Sequence, residues 1–262
     1  MTDIAETEVV TSQPANPRAG YWKFWGTTLW SIAIFAAWFV FGVLALFVVL
    51  LRLKLPENLT DQELRALVLS STTVLCAGLG AATVGAFAVL ALAVRLSRLP
   101  LRDYLGFTVP RWRDLVVGWA GLALLYASTV LASRFFGPLP SKVFVVNLYH
   151  SALATGDLPL LAAALIVVAP LSEEILFRGF LLPGWAASKL RPAGAILLTA
   201  AIWSLVHDQY YSDFIALAVV FALGLWLGWI RYRSGSTLTT IVLHATQNAA
   251  ALGVVAIFNP PA

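Results

Sequence analysis

Seven runs of apolar residues, roughly 25–51, 67–94, 115–133, 158–182, 193–211, 214–230 and 236–258, take up most of the 262-residue chain. A helix needs about 20 such residues to cross about 30 Å of hydrocarbon, and these runs meet that length. Charged residues make up only 11% of the chain and hydrophobic residues 60%, whereas soluble domains are about 25% charged. The mean hydropathy is +0.84. No water-soluble fold of this size can hide that much apolar surface, because about half of any folded surface must be wetted. A soluble enzyme, a disordered chain and a DNA-binding module are excluded. The expected fold is an all-α polytopic transmembrane helix bundle of about seven spans.

The spans leave room for little else. Residues 1–20 are polar, contain Pro14 and Pro17, and read as a disordered tail. They do not form a secretory signal, since the following apolar run is too long and no small-residue cleavage site follows it. Residues 21–262 form the helical membrane domain, with no soluble domain and no internal repeat. The net charge of +4 lies in the loops, where it reads as topology bias and contact with anionic lipid. Eleven Lys/Arg fall on one side (Arg18, Lys23, Arg95, Arg98, Arg102, Arg111, Arg113, Lys189, Arg191, Arg231, Arg233) and five on the other (Arg52, Lys54, Arg65, Arg134, Lys142). That bias puts the N-terminus in the cytoplasm and, with seven spans, the C-terminus outside. The single cysteine, Cys76, excludes an intrachain disulfide and a Cys-rich metal site. It reads as a small buried hydrophobe. Gly224 and Gly228 form a small-xxx-small step, and Gly78, Gly80 and Gly85 thin one side of the second span, which lets backbones approach closely. Segment 135–157, with Pro138, Pro140, Lys142 and His150, is too short and polar to span. It is expected to lie at the interface or re-enter.

Against this background the polar groups inside the spans stand out. They are Glu173, Glu174 and Arg178 in the fourth span, His207 with Asp208 near one end of the fifth, and His244 in the seventh. Three charges within a turn and a half would cost about 8–10 kcal/mol if unpaired in lipid. They must satisfy one another or face protein and water, and such clusters usually maintain a site. Glu174 and Arg178 are four apart, in the favourable acid-before-base order for an ion pair. Glu173 is five before Arg178, about 140° around an α-helix, and is left facing the cavity, where an uncompensated carboxylate suits a general base. Pro170 is expected to kink this helix, and Ser172 to cap a restarted one. His244 and Asn248, four apart, offer an imidazole and an amide, the parts of an oxyanion hole or half of a metal site. Trp203, four before His207, can wall that imidazole. No Ser-His-Asp arrangement, His-Glu-x-x-His or phosphate loop is present.

These residues resemble the intramembrane endopeptidases of the type II CAAX prenyl protease and bacteriocin-processing (Abi, CPBP) family. Its Glu-Glu-x-x-x-Arg motif is matched by Glu173, Glu174 and Arg178, and its aromatic-x-x-x-His, usually Phe, by Trp203 and His207. Its His-x-x-x-Asn is matched by His244 and Asn248. The resemblance covers about 155–258, the expected protease core. It implies hydrolysis of peptide bonds in a peptide or membrane-associated protein. Glu173 would activate water with help from His207, His244 and Asn248 would stabilise the oxyanion, and Glu174 with Arg178 would hold the motif helix. Family members are also described as metalloproteases. The resemblance therefore leaves open a divalent metal ion, zinc, on Glu173, His207 and His244, or a metal-free mechanism using the same residues. The implied setting is multi-pass in a bacterial cell membrane, with peptide or membrane-protein substrate and lipid as partners and no nucleic acid. Two other readings of the buried polar groups stay open: a proton-coupled transporter and a non-catalytic immunity or scaffold protein.

Overall fold

The computed structural model describes residues 21–52, 60–136, 142–211 and 213–258. The expected tail, 1–20, lies outside them. In chain order the helices are α1 (Lys23–Arg52), α2 (Asp61–Ser70), α3 (Thr72–Leu96), α4 (Leu101–Leu105), α5 (Trp112–Phe136) and α6 (Lys142–Thr155). They continue with α7 (Leu158–Ala186), α8 (Arg191–Leu205), a 3-10 turn (Asp208–Tyr210), α9 (Phe214–Ser234) and α10 (Thr237–Phe258). No strand occurs among the described residues. The protein is an all-α polytopic helix bundle.

Among the described residues six helices, α1, α3, α5, α7, α9 and α10, are long and apolar enough to cross a membrane. The fifth apolar run differs from expectation. Its helix, α8, has 15 residues and is about 22 Å long at 1.5 Å per residue, short of the hydrocarbon thickness. The chain leaves the helix after Leu205, and His207 already has non-helical φ −90° and ψ 62°. Within segment 135–157, α6 is a regular 14-residue helix with Leu148 and Ala152 fully buried. It packs against α10 and the start of α7.

The helix α7 sits at the centre. Its Phe177, Phe180, Leu181 and Trp185 are buried in the main core with Ile34, Leu90, Tyr104, Trp203, Leu227 and Leu243. The outward faces of the long helices stay apolar, with Leu29, Phe39, Phe47 and Leu51 of α1 each more than half exposed. That is the surface a lipid solvent demands. Gly224 marks where α8 and α9 nearly touch: a Cβ there would stand 3.0 Å from Ala200 Cβ. The small-residue step is thus a helix contact, as expected. Gly85 is also used, by the ring of Phe41, whereas Gly78 and Gly80 face open space.

The helix α7 is not uniform. Residues Ala164–Val168 and Ile175–Leu181 wind as π-helix, and each stretch is followed two residues later by a proline, Pro170 and Pro183. A proline lacks an N–H and its ring presses on the carbonyl four residues back. A widened turn relieves that clash without breaking the helix. The expected restart at Ser172 does not occur. The Ser172 hydroxyl donates to the Ala169 carbonyl, 2.9 Å away, the usual bond of a serine inside a helix.

Candidate functional site

The two adjacent glutamates of α7 have opposite surroundings. Glu174 and Arg178 are fully buried, and Arg178 Nη1 lies 2.9 Å from Glu174 Oε1. This is the pair expected from four-residue spacing. Arg178 Nη2 donates to the Gly224 carbonyl at 3.1 Å, and its guanidinium carbon lies 4.5 Å from the Trp203 ring centroid. His244 of α10 adds a third partner, with Nδ1 3.0 Å from Glu174 Oε1. Because a carboxylate only accepts, that nitrogen carries the hydrogen. The His244–Glu174 contact joins residues 70 apart in sequence and was not foreseen.

Glu173 keeps 26% of its side chain exposed. Its Oε2 accepts the indole N–H of Trp203 at 2.6 Å and lies 4.0 Å from His207 Nε2. His207 Nδ1 sits 2.7 Å from the Trp203 carbonyl. A carbonyl can only accept, so Nδ1 holds the hydrogen and Nε2 of the neutral ring presents a lone pair toward Glu173. Two acceptors 4.0 Å apart cannot bond directly but can share one water molecule, giving each of them a hydrogen. His207 was expected within the fifth span. It stands instead one residue beyond the end of that helical turn, beside the exposed Asp208.

Trp203 walls His207 as expected, edge to face at 4.9 Å, and meets His244 in the same way at 5.4 Å. Glu173, His207 and His244 therefore gather around one buried indole. Asn248 Nδ2 donates to the Leu165 carbonyl at 2.8 Å. That carbonyl lies in the first π stretch, so Asn248 ties α10 to it. An amide nitrogen has two hydrogens, and this bond accounts for one.

Tyr210 was missed. Its ring lies parallel to His207 at 6.1 Å, and burial, reinforced by the nearby Glu173 charge, raises its phenol above the ordinary value. It therefore stays protonated at neutral pH. A helical wheel continued through His207 would not have placed it there, because the chain has already turned.

The zinc site that the resemblance implies would draw on Glu173, His207 and His244. Among the described residues no group of three or more His, Cys, Asp or Glu side chains could hold a metal ion. His244 Nδ1 is turned onto Glu174, and Glu173 Oε2 takes the indole N–H.

Six apolar helices around a buried carboxylate–guanidinium–imidazole cluster define a polytopic helical membrane protein. Residues 155–250 match the family model of the type II CAAX prenyl endopeptidase Rce1-like proteins, and that segment contains every motif residue from Glu173 to Asn248. The family is one of proteases, hydrolases of peptide bonds. An uncharacterized 24.3 kDa protein of Escherichia coli is 30% identical over 150 residues, an alignment covering 56% of this chain and 66% of the relative. The chain thus spans just under two thirds of that relative's length. No solved structure matches.

Proposed function

We propose that the protein is an intramembrane endopeptidase in which Glu173 and His207 activate water. The observation that carries this reading is the division of labour between neighbouring carboxylates. Glu174 is fully buried and charge-compensated, while Glu173 is partly open and faces an imidazole lone pair at water-bridging distance. Water held between Glu173 Oε2 and His207 Nε2 attacks the scissile carbonyl as its proton passes to Glu173. The carbonyl becomes a tetrahedral oxyanion. Glu173 then returns the proton to the amide nitrogen as the C–N bond breaks, leaving a carboxylic acid and an amine, which ionise to carboxylate and ammonium.

The oxyanion needs donors. His244 and Asn248 are assigned this role, His244 through Nε2–H. With Nδ1–H committed to Glu174, the ring can offer that second hydrogen only as imidazolium, for which Glu174 is the counter-charge. Arg178 holds Glu174 in place through their 2.9 Å contact. No step is routed through a metal.

The test is turnover of quenched fluorescent CAAX-type peptides, prenylated and unprenylated, by protein in proteoliposomes, with and without a chelator. Glu173→Gln is expected to lower turnover by about 100-fold or more with unchanged folding. Full turnover by Glu173→Gln, or no cleavage of any peptide by the wild type, refutes the reading. Abolition by chelator refutes the metal-free form.

A further inference from the structure

Trp203 touches more of the site than any single role assigned so far requires. It is 1% exposed. Its N–H donates to Glu173 Oε2 at 2.6 Å, the same oxygen that faces His207 Nε2. Its own carbonyl accepts from His207 Nδ1 at 2.7 Å, fixing the tautomer. One residue therefore sets both partners of the water, the carboxylate through its side chain and the imidazole through its backbone. Its ring also lies under the Arg178 guanidinium and against the edges of His207 and His244.

The bond to Glu173 is the part of this that depends on tryptophan. A glutamate side chain has rotamer freedom to lose, and Glu173, partly exposed, has no ion-pair partner at contact distance of the kind Glu174 has. A short bond to a charged acceptor is among the stronger hydrogen bonds. It occupies one lone pair of Oε2 and directs the carboxylate toward His207. Phenylalanine would keep an aromatic ring over Arg178 and between the histidines but could donate nothing.

We propose that Trp203 is a positioning residue whose indole N–H holds the Glu173 carboxylate in register with His207. The inference rests on the endopeptidase reading. Two substitutions test it: Trp203→Phe, and replacement of Trp203 by benzothienylalanine, which keeps the bicyclic shape with sulfur in place of N–H. Both are expected to lower kcat by about 10- to 100-fold, the range of a lost bond to a charged group, with KM changed less than about two-fold. Full kcat in Trp203→Phe overturns the proposal. So does full kcat in the sulfur isostere when Trp203→Phe is impaired, because shape rather than the N–H would then be the requirement.

A second readout does not need turnover. In protein with isotope-labelled tryptophan, the Trp203 indole N–H resonance, identified by its loss in Trp203→Phe, is expected to move upfield in Glu173→Gln. An unmoved resonance shows that the bond is absent and overturns the proposal. If the wild type cleaves no peptide, the functional reading fails on its own, and this measurement still decides whether Trp203 holds Glu173.

Discussion

Replacing Arg178 by alanine should damage folding before it damages chemistry. The guanidinium is fully buried and makes a 2.9 Å bond to Glu174, a 3.1 Å bond to the Gly224 carbonyl and a 4.5 Å contact with the Trp203 ring. In Arg178→Ala the Glu174 carboxylate, also fully buried, keeps only His244 Nδ1, at 3.0 Å, among these partners. Removing one member of a buried ion pair costs about 3–5 kcal/mol. For a chain of this length each kcal/mol moves Tm by about 2–4 °C, so the expected fall is about 6–20 °C. The assay is thermal unfolding in mild detergent, with size-exclusion chromatography to follow the monodisperse fraction. A companion variant separates a stranded charge from lost packing. Glu174→Gln combined with Arg178→Met removes both charges and should recover most of the loss, because no buried charge is then left without its partner. Glu173→Ala, which strands the Trp203 indole N–H but no charge, should lower Tm less than Arg178→Ala does. An Arg178→Ala protein with wild-type Tm and yield would refute the reasoning, as would a double variant no more stable than the single one.

Gly121→Ala should lower Tm by the equivalent of about 1–3 kcal/mol. The new Cβ would stand 2.2 Å from the Trp226 ring, which is held by its N–H bond to the Gly118 carbonyl; an unchanged unfolding curve would show that the α5–α9 contact yields freely. Tyr104, outside the spanning helices, has its phenol raised well above the ordinary value by burial. Above about pH 10 an unfolded tyrosine loses its proton while the folded one keeps it, so stability present below that pH is lost as pH rises. Tyr104→Phe should flatten the alkaline fall of Tm, and an identical fall in both proteins would exclude this contribution.

What could be read before the fold was known was whatever a single helix determines. Four-residue spacing paired Glu174 with Arg178 and put Trp203 against His207, and helix rotation separated Glu173 from the pair. The bundle and its apolar exterior followed from run length. Contacts between helices were not legible. His244 was grouped with Asn248 by spacing, yet its Nδ1 reaches Glu174 on α7, and Asn248 reaches a backbone carbonyl there. Trp203 looked like a wall because its N–H partner lies 30 residues away. The end of α8 was misplaced because the expected run was carried through Val206 and His207 to residue 211, whereas the helix stops at Leu205. Ser172 was misread as a cap because a proline normally breaks a helix, whereas α7 widens instead.

That widening constrains how this helix can change length. Arg178 lies within the second π stretch, Ile175–Leu181, where the ladder accommodates one residue more than α winding would. Deleting one residue there would let the ladder close as ordinary α and leave everything beyond it facing as before, because the widened turn already takes up the extra residue. A gap in an alignment at this point is therefore not a trimmed connection. It marks a protein whose helix beyond this point keeps its face toward the bundle with ordinary winding.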